Sequence, residues 1–216
     1  APIKENLAAG IIKLSGWEPG QAFFDPMCGS GTFLIEAALI ATNQAPGLKR
    51  DFGFMAWKNF DKVLFKNLKK SYQDAIIQKD FLRIYGSDKD LRAVRVSKKN
   101  LVLAGFEDCI QLACKQFNEI KPPLDEGVLV TNPPYGERIG DDEDLDNAYP
   151  DWARTLKQSF AGWSTYFLTN DFRMPKLMRL APSRKIPLFN GALDCRLFEI
   201  KMVAGSDRIK EFDILL

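Results

Sequence analysis

A chain of 216 residues that is 46% apolar and holds 15 glycines can bury the core of one large domain, and it lies outside the disordered and low-complexity classes. Histidine is absent, which removes Ser-His-Asp and Cys-His nucleophilic machinery and most zinc sites. A net charge of +2 is too small for tight nucleic-acid binding except through a local basic surface. Cys28, Cys109, Cys114 and Cys195 form neither a CxxC pair nor a dense disulfide framework, which predicts a reducing cytoplasmic setting. No apolar run reaches the roughly 20 residues that span a bilayer, and no signal pattern opens the chain, so no membrane contact is expected. A sequence that begins at Ala1 without Met, directly on a motif-like segment, is expected to be a domain whose front part is missing.

Taken in order, Ala22-Phe23-Phe24 reads as a buried strand ending in Asp25-Pro26, and apolar residues at helical spacing over 32–41 predict a helix after a glycine turn. Residues 46–80 break the pattern and read as an insertion. It interleaves Lys49, Arg50, Lys58, Lys62, Lys66, Lys69 and Lys70 with Phe52, Phe54, Trp57, Phe60 and Phe65. Two readings coexist: a helical cap whose aromatics pack on the core, and a basic, aromatic surface for an unpaired nucleic-acid strand, with Lys49, Arg50 and Trp57 as contacts. A second strand over 82–87 ends at Asp88, and the helix over about 90–104 is closed by Gly105. Lys89, Arg92, Arg95 and Lys98 on that helix read as ordinary exposed surface.

Strands follow at 110–114, 127–131 and 164–169, the last after an amphipathic stretch over 147–160. The runs 185–189 and 192–202, joined by Asn190-Gly191, predict an antiparallel hairpin. The alternation predicts an α/β fold with a mostly parallel, doubly wound, Rossmann-like sheet closed by that hairpin, and ligands at the carboxyl ends of the strands.

Two motifs fall at such ends. In Asp25-Pro26-Met27-Cys28-Gly29-Ser30-Gly31-Thr32-Phe33, the glycines let the backbone turn tightly and approach a ligand, and Thr32 opens a helix whose free amides face it. The third glycine of a dinucleotide fingerprint and the lysine of a phosphate loop are missing, so a nucleoside without phosphates fits best. Asp88 either accepts from a ribose diol or caps the helix after it. The second motif is Asn132-Pro133-Pro134-Tyr135. The Asn132 side-chain oxygen and the Pro133 carbonyl, stiffened by two prolines, can accept both hydrogens of a planar amine, and Tyr135 can stack on the amine's ring. Acceptors of this kind favour the positive charge that develops on nitrogen as it attacks a sulfonium methyl. Together the motifs predict an amino-group methyltransferase.

The chain resembles the catalytic domain of bacterial large-subunit ribosomal RNA guanine-N2-methyltransferases, of the THUMP-associated UPF0020 type. The resemblance runs through Ala1-Pro2-Ile3-Lys4-Glu5-Asn6-Leu7-Ala8 as the family's leading helix and through 25–33. It continues with Pro46-Gly47-Leu48, Phe52-Gly53-Phe54, Trp57, Gly86-Ser87-Asp88 and Asn132-Pro133-Pro134-Tyr135-Gly136-Glu137-Arg138. It closes with Leu188-Phe189-Asn190-Gly191-Ala192-Leu193-Asp194-Cys195-Arg196-Leu197. By this resemblance the fold is that of class I methyltransferases, the donor is S-adenosyl-L-methionine, the target is guanine N2 in 23S rRNA, and the missing front part is an RNA-binding THUMP region. The implied cofactor residues are Pro2, Asp25, Pro26, Cys28, Gly29, Ser30, Gly31, Thr32, Asp88, Gln116 and Asn132. The implied RNA contacts add Arg138, Phe189 and Asn190. Gln116 stands where the family usually has an adenine-contacting Asp. The acidic run 141–144 reads as a solvated lid segment.

Alternatives remain open. Asn-Pro-Pro-Tyr also serves adenine N6 in nucleic acids and glutamine N5 in proteins, since each presents a planar amine. An inactive RNA-binding or assembly module would keep the fold and lose cofactor binding.

Overall fold

The computed structural model describes residues 2–48, 50–134 and 145–203. Seven described strands form one sheet in the order β3-β2-β1-β4-β5-β7-β6: β1 Phe23–Asp25, β2 Ile84–Asp88, β3 Gln111–Cys114, β4 Gly127–Thr131, β5 Trp163–Thr169, β6 Arg184–Asn190 and β7 Leu193–Lys201. The first five run parallel; β7 pairs antiparallel with both β5 and β6. The fold is the predicted one, with the hairpin inserted so that its second strand adjoins β5.

Alternation along the strands explains why both faces are covered. Phe23, Val128, Val130 and Leu168 point into one apolar cluster, whereas Phe24, Leu129 and Phe167 point into the other. The first face is roofed by α1 (Glu5–Leu14), α2 (Thr32–Ala41) and α4 (Leu91–Ala104), through Ile11, Leu34 and Leu101. The second is roofed by α5 (Leu145–Ser159) and α6 (Met174–Met178), through Tyr149, Leu156 and Met174. Burial on both sides is what makes these strands read as continuous apolar runs in the sequence. Among the described residues, no helix is long and apolar enough to cross a membrane.

Several expectations need correction. The leading helix does not occupy 1–8: it starts at Glu5 and continues to Leu14, and Pro2, Ile3 and Lys4 precede it as extended chain. The short helix α6 was not anticipated, because five residues with a proline near the start carry no readable periodicity. Gly105 does close α4, at φ +83, with its N–H donating to the Leu101 and Val102 carbonyls.

The segment over 46–80 stands apart. It holds a 3₁₀ turn at Gly53–Ala56 and α3 (Lys62–Asp74), and α3 has no buried residue. Its aromatics do not pack on the core as the cap reading had it. Phe52, Phe54, Phe60 and Phe65 instead pack on one another, with centroids 5.3–6.4 Å apart, and join neither core cluster. The arm is rooted where α2 ends: Ile77 N–H donates to the Thr42 carbonyl (2.8 Å) and Asn43 Nδ2 to the Ala75 carbonyl (3.2 Å).

Candidate active site

The strand order reverses between β1 and β4, and doubly wound sheets open a crevice at the carboxyl ends of such a pair. A cavity of about 700 Å³ lies there, within the usual range for small-ligand sites. Its walls include Pro26, Cys28, Gly29, Ser30 and Thr32 after β1, Asp88 and Lys89 after β2, Lys115, Gln116 and Phe117 after β3, and Asn132, Pro133 and Pro134 after β4. Pro2 and Ile3 close one side, and Asp151 and Trp152 of α5 another.

The turn after β1 is fixed from three directions. Gly29 N–H donates to Asp88 Oδ2 (3.0 Å), and Ser97 Oγ and Asn100 Nδ2, one turn apart on α4, donate to the Gly29 and Ser30 carbonyls at 3.0 and 2.9 Å. Gly29 and Gly31 are needed for different reasons. At Gly31, φ is +83 and a Cβ would lie 2.7 Å from Ser97 Oγ, so packing of α4 excludes a side chain. At Gly29, φ is +53 and a Cβ would meet nothing within 4 Å; the residue leaves its backbone open to the cavity.

One carboxylate joins the two motifs. Asp25, 2% exposed, accepts at Oδ1 from Thr131 Oγ1 (2.8 Å) and from Met27 N–H (3.1 Å). Thr131 ends β4 and precedes Asn132, and Met27 begins the glycine turn, so a single side chain spaces the two loops. Burial pushes the Asp25 carboxyl up to about 7, with the Asp88 charge adding to the rise and the Thr131 and Met27 hydrogen bonds opposing it. Burial likewise pushes the Cys28 thiol up to about 12, helped by the Asp25 charge, which makes Cys28 a wall rather than a nucleophile.

Residues 1–199 match the family model described as UPF0020, the RMKL-like methyltransferase domain. The chain belongs to the RMKL-like methyltransferase domain family. Its curated relatives include the ribosomal RNA large subunit methyltransferase K/L of Shewanella sp. (strain W3-18-1), 38% identical over 96% of this chain and 30% of the relative. The namesake in Desulfotalea psychrophila is 39% identical over 91% and 28%. Among solved structures, SMU.472 complexed with SAH superposes with a TM-score of 0.88 at 39% identity, covering 93% of this chain and 53% of that one. A protein from Listeria monocytogenes, described as a predicted N6-adenine-specific DNA methylase, superposes at 0.84 and 34%, covering 93% and 52%. The chain thus spans about a third of the curated relatives and about half of these solved ones.

In this RMKL-like domain the residues singled out from the sequence fall into distinct places. Pro2, Pro26, Cys28, Gly29, Ser30, Thr32, Asp88, Gln116, Asn132, Pro133 and Pro134 all line the cavity. Asp25 and Gly31 stand behind its wall and shape it. Asp88 is not the helix cap: Asp90 caps α4 by accepting from Arg92 N–H (2.8 Å), and Asp88 Oδ1 accepts from Asp90 N–H (2.9 Å). Gln116 is exposed, with its N–H donating to Glu119 Oε2 (3.0 Å). Phe189 and Asn190 lie at the β6–β7 tip, in a groove of about 280 Å³ against α1. Asn190 is buried there and donates from Nδ2 to the Pro2 carbonyl (3.4 Å), which ties the hairpin tip to a cavity wall. Arg50 and Trp57 are on the arm. Lys49, Tyr135, Arg138 and the run 141–144 lie outside the described residues.

Sequence reasoning missed Thr131, Ser97 and Asn100, which hold the loops, and Lys115, Phe117, Asp151 and Trp152, which line the cavity. It also placed Lys89 on plain surface, whereas Lys89 borders the cavity. The Ser97–Asn100 spacing of three residues, which sets two polar side chains on one helix face, was the only available signal.

Proposed function

We propose that this chain is the catalytic domain of an S-adenosylmethionine-dependent methyltransferase acting on an exocyclic base amine, guanine N2 of 23S rRNA. The observation that carries it is the Thr131–Asp25–Met27 hydrogen-bonded bridge, which sets the amine-holding loop and the nucleoside-holding turn on one cavity. The names of the curated relatives support a large-subunit rRNA target, and SMU.472 with its SAH supports the cofactor.

The cavity residues suit that cofactor. Asp88 offers a carboxylate to a ribose diol beside the open backbone of Gly29, while Gln116 and Phe117 offer an amide acceptor and an apolar wall to an adenine. When bound, S-adenosylmethionine would supply an electrophilic sulfonium methyl to the amine nitrogen, with its sulfur as the leaving group that keeps the C–S electron pair. Asn132 and the Pro133 carbonyl hold the amine hydrogens, direct the nitrogen lone pair out of the ring, and stabilise the positive charge that develops there. The surplus proton leaves to water, so neither histidine nor metal is required of the chain. Tyr135 covers the base in this reading. The domain forms a single unit over 1–216 with an inserted arm over 46–80, and an RNA-binding front part completes the protein.

Calorimetric titration with S-adenosylmethionine, then mass analysis of nucleosides after incubation with unmodified 23S rRNA, tests this. N2-methylguanosine is expected. N6-methyladenosine would move the chain to the adenine reading that the Listeria relative's description favours. Failure to bind the cofactor at all would leave an inactive RNA-binding module. Asn132→Ala should lower turnover by about two to three orders of magnitude; near-normal turnover would sink the mechanism.

A further inference from the structure

The arm that neither core cluster claims has a charge pattern of its own. Over residues 50–80, Arg50, Lys58, Lys62, Lys66, Lys69, Lys70 and Lys79 face Asp51, Asp61, Asp74 and Asp80: seven cations against four carboxylates. That surplus of three exceeds the +2 of the whole chain, so the rest of the molecule is slightly negative. Of the four carboxylates, Asp61 is already committed to capping α3, accepting from Leu64 N–H at 2.8 Å.

Along α3, Lys62, Lys66, Lys69 and Lys70 recur at offsets of four, seven and eight residues, which places them on one side of the helix. Lys69 folds inward, its Nζ 5.3 Å from the Phe65 ring centroid and donating to the Arg50 carbonyl at 3.4 Å. Lys62, Lys66 and Lys70 are exposed and, among the described residues, pair with no carboxylate. Like charges four residues apart destabilise a helix by roughly 0.2–0.5 kcal/mol per pair. The stripe repeats that penalty in a helix with no buried side chain to offset it, and a polyanion laid along it would relieve it.

Beside the stripe, the packed Phe52, Phe54, Phe60 and Phe65 hold a rigid base for Trp57, whose ring meets Phe54 edge-on at 6.3 Å and stays 67% exposed. A cationic track next to a fixed, open aromatic face is how proteins bind single-stranded nucleic acid without reading its sequence. The arm's root is one helix length, about 15 Å, from the cavity that α2 opens on. None of the arm's described residues lines that cavity, so the arm would be a second contact, separate from the one that holds the reacting base.

We infer that the arm is a docking surface for a single strand of RNA, with Lys62, Lys66 and Lys70 on its phosphates and Trp57 stacked on a base. The inference rests on reading the chain as an RNA methyltransferase and adds a contact that acts on substrate affinity, not on methyl transfer. Fluorescence anisotropy of a labelled oligouridylate in rising potassium chloride tests it, with calorimetric SAH binding measured on the same samples. The triple change Lys62→Glu/Lys66→Glu/Lys70→Glu should weaken RNA binding about tenfold or more and lower the slope of log affinity against log salt by about 2. Trp57→Ala should weaken it about fivefold or more, and Lys62→Arg/Lys66→Arg/Lys70→Arg should retain it. SAH binding should be the same in all of them. RNA affinity and salt slope unchanged in the triple glutamate variant, with SAH binding intact, would overturn the arm's role and leave the methyltransferase reading standing. A wild-type chain without affinity for the oligouridylate that self-associates in sedimentation, and ceases to after Leu64→Glu, would also overturn it by making the arm a protein interface.

Discussion

The carboxyl edge of β1 and β4 and the arm over 46–80 are both candidates for touching the substrate, yet they are built on opposite terms. At the edge, polar groups are buried and each is held: Thr131 is 0% exposed and bonded to Asp25, and Ser97 is 0% exposed and bonded to the Gly29 carbonyl. On the arm, the polar groups are in water and the apolar ones are half out, with Val63 at 70% and Leu64 at 66%. Buried hydrogen bonds fix positions at an energetic risk, because a missing partner leaves a desolvated group; exposed charges risk little and fix little. Chemistry that needs atoms in place belongs to the first region, and capture of a long flexible partner to the second.

The largest effect expected from this contrast is a pH dependence. Asp25 has a folded value of about 7 against an ordinary 3.8, so between these values the folded chain holds a proton that the unfolded chain has released. Its stabilising contribution is full below the ordinary value and is lost as pH rises through about 7, by about 4 kcal/mol for roughly three pH units at full burial. Glu36, pushed up to about 7 by burial and then by the Glu5 charge, acts in the same direction. Melting temperatures from pH 4 to 8 should therefore fall for the native chain, and fall less for Asp25→Asn, which keeps an oxygen for Thr131 and Met27. Parallel profiles for the two chains would break the contrast.

Next comes Gly31→Ala. A left-handed non-glycine residue costs roughly 1–2 kcal/mol, and displacing Ser97 loses its bond to the turn, so denaturant unfolding should show a loss of about 2–3 kcal/mol. Thr131→Val keeps the shape and removes the bridge, which should cost about 1–2 kcal/mol and slow turnover more than it weakens cofactor binding. Smallest is Trp57→Ala, expected to change stability by less than about 0.5 kcal/mol; a loss above 1 would mean that the arm is part of the folded core.

What could be read in advance follows from this same division. The strands and the position of the cavity were legible because burial on two faces writes long apolar runs, and because ligands of a mostly parallel sheet sit at the carboxyl ends of its strands, where both motifs fall. The residues touching the cavity were legible where they sit within a motif, as Gly29, Ser30, Asn132 and Pro133 do. Thr131, Ser97 and Asn100 were not, because their partners lie 106, 68 and 70 residues away and nothing local marks the pairing. The same distance hid the bond from Thr131 to Asp25, which lets one side chain brace both loops. The arm's composition was readable, but not that its aromatics would choose one another over the core.

The hairpin that completes the sheet has one further consequence. By placing β7 between β5 and β6, the fold leaves β6 with an unpaired margin among the described residues, and β6 carries Arg184, Lys185 and Pro187. An open strand margin is a template on which other chains can polymerise, and proline lacks the amide proton that a continuing ladder requires while the charges repel a second copy. The same strand that finishes the fold therefore guards it against growing into fibres.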